Sequence, residues 1–120
     1  MIKLKRVYES KEAGDGTRIL VDRLWPRGLR SEKAGIDEWM KDIAPSDELR
    51  KWFAHDPERW PEFKRKYAAE LSESSKATLL NRIARLAASK NVTLVYAAKD
   101  IEHNNARVLE ELIAKVIKDS

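Results

Sequence analysis

The N-terminal part of the chain carries two stretches with the patterns of β-strands. Residues 2–8 alternate apolar and basic side chains over most of their length, which predicts an edge or near-edge strand with one solvated face. Residues 18–22 form a short apolar run rich in β-branched side chains, typical of a strand buried on both faces. The Trp25-Pro26-Arg27-Gly28 segment ends this second strand, because proline lacks the N–H group that a β-ladder needs. Side chains at positions 22–28 therefore follow the carboxyl end of a strand.

The middle of the chain shows the spacing of amphipathic helices. Apolar residues recur three and four positions apart in three successive segments. They predict helices over about 46–54, from 57 or 61 to about 72, and from the serines at 72–75 to about 90. Ser46 is a suitable N-cap for the first of these helices. The two starts of the second helix correspond to two prolines, which are tolerated in the first turn.

The C-terminal part of the chain predicts a strand followed by a helix. Residues 92–98 form an apolar run that is too short for a core helix, which indicates a central parallel strand. A broad apolar stripe then predicts a helix over about 103–118. Residues 38–43 fit neither period, so a short helix and a third strand both stay open. The whole pattern predicts an α/β fold: one small domain over residues 1–120, with a mainly parallel sheet of three or four strands flanked by helices in two or three layers.

Composition supports a single globular domain. The 120 residues are 42% hydrophobic and 37% charged, with only four glycines and four prolines, which is unlike a disordered or fibrous chain. No apolar run reaches the roughly 18 residues that span a bilayer, and the N-terminal residues lack a signal-peptide pattern. We therefore expect a cytoplasmic protein with no membrane association. The absence of cysteine excludes thiol chemistry, and two histidines alone cannot form a His-rich metal site. We predict no cofactor and no metal site, and whether a metal bound by Asp22 and Asp100 assists stays open.

The net charge of +4 is concentrated near the N-terminus. Residues 1–33 contain nine Lys and Arg against five Asp and Glu, whereas residues 34–120 contain 15 of each. Four arginines lie in the basic segment: Arg18, Arg23, Arg27 and Arg30. Guanidinium groups match carboxylate and phosphate groups well, which favours an anionic partner, although ordinary surface charge explains the excess equally well.

Polar residues follow two of the predicted strands. After the strand at 18–22 come Asp22, Arg23 and Arg27, and after the strand at 92–98 come Lys99, Asp100, His103 and Asn104. Ligands of open α/β sheets bind at the carboxyl ends of strands. If the two strands are neighbours, these side chains converge on one crevice.

The chemistry of these residues suits a small phosphate- or carboxylate-bearing molecule. Arg23 and Arg27 would clamp the anion, and Asp22, Asp100 and His103 are the candidate catalytic groups. Structural alternatives exist, because Asp22 could belong to a buried salt bridge and Asp100 could cap the last helix. Whether the chain is an enzyme or only binds its ligand stays open.

Two further residues belong to the predicted ligand-binding set. Asn104 and the start of the last helix could bind an anion, or Asn104 could simply cap that helix. Trp25 could stack on a base or a sugar, or it could cover the core under a loop. His55 would join the site only if its loop folds over the crevice, and Trp39 is expected in the core.

Missing motifs limit the alternatives. The chain has no glycine-rich phosphate loop, no Gly-x-Ser-x-Gly and no His-Glu-x-x-His, which disfavours P-loop, serine-hydrolase and zinc-protease chemistry. Two other functions stay open. One is a nucleic-acid-binding module that uses the basic N-terminal segment with Trp25 as a stacking surface. The other is a non-enzymatic interaction domain in which the polar motifs are structural. The sequence makes no prediction about the oligomeric state.

Three blocks of the sequence resemble a known family. VDRLWPRG at 21–28, the segments APS, LRKWF and HDP within 44–57, and YAAKD and HNNA within 96–106 look like the YeaO-like proteins, short bacterial members of domain of unknown function family 488. The resemblance covers nearly the whole chain and implies one α/β domain with a strand within 38–43. It implies a site at Asp22, Arg23, Arg27, Asp100 and Asn104, but it implies no particular reaction.

Overall fold

Four parallel strands form the sheet of the computed structural model, which describes residues 1–119. The strands are β1 (Ile2–Arg6), β2 (Thr17–Leu20), β3 (Glu38–Trp39) and β4 (Val92–Tyr96). Their order across the sheet is β1-β4-β2-β3, and every pairing is parallel. The predictions of an edge strand at the N-terminus and a central strand in the C-terminal part are therefore confirmed.

Five α-helices accompany the sheet. They are α1 (Ser31–Ala34), α2 (Asp47–Phe53), α3 (Trp60–Leu71), α4 (Ser74–Ser89) and α5 (Asn105–Asp119). Short 3₁₀ turns lie at Ala13–Asp15, Lys41–Ile43 and Pro57–Arg59. The α/β fold is as predicted, and none of the described helices is long and apolar enough to cross a membrane.

The observed elements refine two of the open boundaries and add one helix. Pro57 begins a 3₁₀ turn that leads directly into α3. The α-helix itself begins at Trp60, between the predicted starts at 57 and 61. Between positions 38 and 43 the chain forms both a two-residue strand and a 3₁₀ turn. Ser46 caps α2 as predicted, because its Oγ accepts a hydrogen bond from Leu49 N at 3.1 Å. The single-turn helix α1 was not predicted.

The main hydrophobic core lies between one face of the sheet and helices α2 to α5. Ile19 and Leu94 contribute from the strands, and Ile113 contributes from α5. Phe53 and Phe63 stack with their ring centroids 4.3 Å apart, which fixes α2 against α3. Each fully buried apolar side chain of this size contributes about 1.5–3 kcal/mol to the free energy of unfolding. All the longer helices therefore lie on the same side of the sheet.

The opposite face of the sheet is covered by loops and α1, and it contains a buried ion cluster. The Asp15 and Arg18 side chains are fully buried, and Arg18 donates a hydrogen bond to Asp15 at 2.8 Å. Lys5 Nζ lies 3.0 Å from the same carboxylate, and Lys3 Nζ lies 3.4 Å from it. Thr93 Oγ1 donates to the backbone oxygen of Asp15 at 2.8 Å. One 3₁₀ turn is thus tied to β1, β2 and β4.

The ionisation of Asp15 is coupled to folding. Burial alone would raise the pKa of this carboxyl, but hydrogen bonds from Glu12 N–H, Lys5 and Arg18 outweigh the burial and hold the pKa well below its usual range. A carboxyl with a lowered pKa in the folded state contributes stability above its unfolded pKa of about 4, and that contribution is lost as the pH falls through the folded value.

Replacing Asp15 with Asn should destabilise the protein by about 3–5 kcal/mol at pH 7, because Arg18 would lose its buried counter-charge. The difference from the unsubstituted protein should shrink as the pH falls below about 4. Urea unfolding at pH 7 and at two acidic pH values measures both effects. Lys115→Ala, an exposed substitution on α5, is the control and should change stability by less than about 0.5 kcal/mol. A difference between the two proteins that does not depend on pH would contradict this explanation.

Candidate functional site

A crevice of about 750 Å³ opens where β2 and β4 end. These strands are neighbours, and their register pairs Leu20 with Val95, so the segments that follow them run side by side. The crevice is lined by every residue that the sequence proposed: Asp22, Arg23, Trp25, Arg27, Asp100, His103 and Asn104. The structure therefore brings all seven together, and their individual contacts determine what each of them can do.

Asp22 lies half-buried in the crevice and has no ion-pair partner among residues 1–119. Its Oδ2 accepts a hydrogen bond from Ala97 N at 2.9 Å, across the gap between the two strand ends. Burial raises the pKa of the Asp22 carboxyl, and hydrogen bonds from Ala97 N–H and the Asn105 amide partly oppose that rise. The salt bridge considered for Asp22 is not formed in this structure.

Asp100 organises the loop that follows β4. Its Oδ1 accepts hydrogen bonds from Glu102 N at 2.9 Å and His103 N at 3.0 Å, and its Oδ2 lies 2.9 Å from His103 Nδ1. These hydrogen bonds, the one from Glu102 N–H first among them, lower the pKa of Asp100. The His103 ring also packs edge-on against Trp60, with 5.3 Å between ring centroids. Asp100 and His103 thus form a pair whose polar atoms hold the loop in place.

Asn104 is the N-cap of α5. Its Oδ1 accepts a hydrogen bond from Arg107 N at 3.1 Å, and its Nδ2 donates to Asp100 O at 2.9 Å. Only 3% of Asn104 is exposed, so its amide is committed to the protein and the capping alternative describes it well. The next residue, Asn105, donates to Val21 O at 2.9 Å and connects α5 to the end of β2.

The cations of the crevice fall into two groups. Arg23 donates to Pro45 O and Ala44 O at 3.3 and 3.4 Å, and it shares the Asp47 carboxylate with Arg50. The cations of the second group, Arg27 and Lys99, are exposed, and within residues 1–119 their side chains form no hydrogen bond or ion pair. The second group is therefore available to an anion from solution.

Trp25 has both a packing contact and a place in the crevice wall. It packs on the small core of Val7, Leu20 and Val95, and its Nε1 donates to Leu29 O at 2.8 Å. The core-covering alternative therefore applies, and the ring still lines the crevice. Trp39 is a correction, because it was expected in the core but is 38% exposed. It lies on the two-residue edge strand β3, where its ring packs edge-on against Trp25 with 5.4 Å between ring centroids and its Nε1 donates to Asp22 O at 2.8 Å.

His55, which the sequence placed at the site only if its loop folds over the crevice, lines the crevice, and so does Arg50, which was not predicted there. After α2, the backbone of Ala54 and His55 has φ angles of 48° and 57°. This is the left-handed conformation, which residues other than glycine rarely adopt. This turn places the His55 ring 6.3 Å from the Phe53 ring and in electrostatic contact with Asp22. No sequence signal predicts the turn, because glycine or asparagine usually occupies such positions.

Three of the nine cations of the basic N-terminal segment are engaged with one buried carboxylate. Lys3, Lys5 and Arg18 all contact Asp15, and Arg18 is fully buried. These contacts give no support to the nucleic-acid alternative. In residues 1–119 the structure contains no group of three or more His, Cys, Asp or Glu side chains that could hold a metal ion.

Comparison with known proteins identifies the family. A protein-family model described as "Inactive DUF488-N3 subclade" matches residues 1–120. The chain belongs to this DUF488 subclade. It is 44% identical to the uncharacterized protein YeaO of Escherichia coli (strain K12), over 92% of this chain and 94% of that protein. It is 40% identical to uncharacterized proteins of Mycobacterium tuberculosis (strain ATCC 25618 / H37Rv) and Mycobacterium bovis (strain ATCC BAA-935 / AF2122/97), over 93% of this chain and 92% of each of them.

No solved structure matches the chain. The resemblance to YeaO-like DUF488 proteins is therefore confirmed, while the relatives are themselves uncharacterized.

In this DUF488 protein, Ala54→Gly should raise the free energy of unfolding by about 0.5–1 kcal/mol. The reason is that a left-handed non-glycine residue costs about 1–2 kcal/mol, part of which is offset by the greater freedom of glycine in the unfolded chain. The matched control is Ala114→Gly on the exposed side of α5, which should lower stability by about 1 kcal/mol. Urea unfolding of the three proteins measures both values, and destabilisation by both substitutions would argue against strain at Ala54.

Proposed function

We propose that this DUF488 protein binds a small molecule that carries a phosphate or carboxylate group, and that it holds this molecule in the crevice without converting it. The main support for the proposal is a pair of exposed cations, Arg27 and Lys99. Both line the crevice, and their side chains form no hydrogen bond or ion pair within residues 1–119. Charged donors form the strongest hydrogen bonds to phosphate and carboxylate oxygens.

The balance of charge along the crevice supports an anionic ligand. Four Arg and Lys residues line it against two aspartates. Asp100 already accepts hydrogen bonds from Glu102 N and His103 N, and even with both aspartates ionised the four cations leave the lining with a net positive charge. A phosphate or carboxylate group entering the crevice therefore meets an excess of positive charge.

The dimensions and apolar walls of the crevice support a ligand larger than a simple ion. Its volume of about 750 Å³ lies within the range of roughly 300–1,000 Å³ that is usual for small-molecule sites. Phe53, Phe63 and Pro26 contribute apolar surface, and Trp25 contributes an aromatic ring. These walls favour a molecule that has an apolar or planar part next to its anionic group.

Two observations favour binding over catalysis. The family model that matches the chain is described as an inactive subclade. In addition, the Asp100 and His103 side chains bond to each other, and Asp100 accepts two further bonds from the backbone. A general acid or base needs an atom within hydrogen-bond reach of the substrate, and these contacts occupy the Asp100 oxygens with the protein itself.

The Arg27→Ala/Lys99→Ala double variant should bind phenyl phosphate at least about tenfold more weakly than the unsubstituted protein, because it loses two charged donors. Isothermal titration calorimetry measures both dissociation constants, and a rise in Tm that depends on ligand concentration provides a second readout. Phenol, which has the ring without the phosphate, should not bind measurably to either protein.

The matched control is Arg85→Ala/Lys115→Ala, which removes the same two charges from exposed positions on α4 and α5, outside the crevice. This control should bind phenyl phosphate as the unsubstituted protein does. Equal weakening in both double variants would indicate a general charge effect and contradict a site at the crevice. An oligonucleotide that binds more tightly than phenyl phosphate, with an affinity that falls steeply with salt, would favour the nucleic-acid alternative instead.

A further inference from the structure

Asp22 has fewer compensating hydrogen bonds and ion pairs than Asp100 and Asp47, the other acidic residues in or beside the crevice. Asp100 accepts two backbone N–H bonds and contacts the His103 ring. Asp47, just outside the crevice, lies beside Arg23 and Arg50. Asp22 receives hydrogen bonds from Ala97 N–H and the Asn105 amide, and in residues 1–119 it forms no ion pair.

An uncompensated charge on the half-buried Asp22 carboxylate costs free energy. The carboxylate is half-buried beside apolar lining residues such as Phe53 and Phe63. A carboxylate has about four acceptor positions on its two oxygens, and buried acceptors are nearly always satisfied. His55 interacts with Asp22 electrostatically from another part of the crevice but forms no hydrogen bond with it in this structure. Asp22 thus retains the capacity to accept hydrogen bonds from a molecule inside the crevice.

The crevice therefore offers two chemically different kinds of group. Arg27 and Lys99 offer charged donors at exposed positions, and Asp22 offers a charged acceptor at a half-buried one. An anion alone satisfies only the donors. A ligand that satisfies both kinds of group needs a donor group of its own in addition to the anion.

We infer that the ligand carries an N–H or O–H group in addition to its phosphate or carboxylate, and that Asp22 accepts a hydrogen bond from that group. This inference rests on the proposed function, because it assigns the second contact of a ligand whose anion is held by Arg27 and Lys99. It makes Asp22 a specificity-determining residue, which selects hydroxylated or amino-bearing anions over anions that lack a donor.

The test compares probes that carry a donor with probes in which a methyl group replaces the donor hydrogen. The 2-, 3- and 4-hydroxyphenyl phosphates place an O–H at three distances from the anion, and the corresponding methoxyphenyl phosphates retain the oxygen but cannot donate. In the unsubstituted protein at least one hydroxyl isomer should bind about tenfold more tightly than its methoxy counterpart, the usual effect of a hydrogen bond to a charged acceptor. In Asp22→Asn, which preserves the shape of the side chain, that preference should fall below about threefold.

The possible outcomes separate this inference from the proposed function. If all six probes bind, lose affinity in Arg27→Ala/Lys99→Ala, and show no hydroxyl preference in the unsubstituted protein, the anion site stands and the role of Asp22 is overturned. A preference that persists in Asp22→Asn also overturns it. If no probe binds, the proposed function fails and this inference fails with it. If Asp22→Asn does not fold, Asp22→Ala takes its place, and the absence of a hydroxyl preference in the unsubstituted protein overturns the inference without either variant.

Discussion

The buried ion pair between Asp15 and Arg18 determines how this small sheet is covered. A parallel sheet needs protection on both faces, and here all the longer helices pack on one of them. On the other face, Arg18 occupies an interior position of β2, where a charge is stable only beside a counter-charge. Asp15 supplies that charge from a loop, and the same carboxylate draws Lys5 of the edge strand to it. The ion cluster and the small apolar core of Val7, Leu20 and Val95 together cover this face, where larger α/β domains have a second layer of helices.

The covering of this face by loops has a direct effect on the crevice. The segment after β2 crosses the sheet without forming a long helix, so its polar residues stay at the strand end. Trp25 anchors this segment by packing on Leu20 and Val95, and the Tyr8 hydroxyl donates to Arg27 O at 3.1 Å. The backbone that carries Arg27 is therefore fixed while its side chain is exposed. A fixed backbone with a free cation is the arrangement that a binding site requires, because less ordering is needed when a ligand arrives.

Local sequence patterns were sufficient for the sheet and the long helices but not for several features of the site. The apolar run of β4 and the Ser46 cap act over a few residues, so they can be identified from sequence. The convergence of the two strand ends required only that β2 and β4 be neighbours. In contrast, the left-handed turn at Ala54 and His55 depends on tertiary contacts and contradicts local preference. The exposure of Trp39 likewise depends on β3 being a two-residue edge strand.

The functional residues separate into those that build the crevice and those that it leaves available. Asn104 caps α5 and Asp100 holds the loop before it, so two of the polar residues that sequence alone places in the site are needed to give it shape. Arg23 is similarly bound to carbonyl oxygens of the segment before α2. What is left for a ligand is a pair of free cations and one poorly compensated carboxylate. Charged donors and a carboxylate acceptor of this kind can recognise and orient a molecule. Asp100 and His103 contact each other within the loop after β4, whereas Arg27, Lys99 and Asp22 form no ion pair within residues 1–119 and line the crevice.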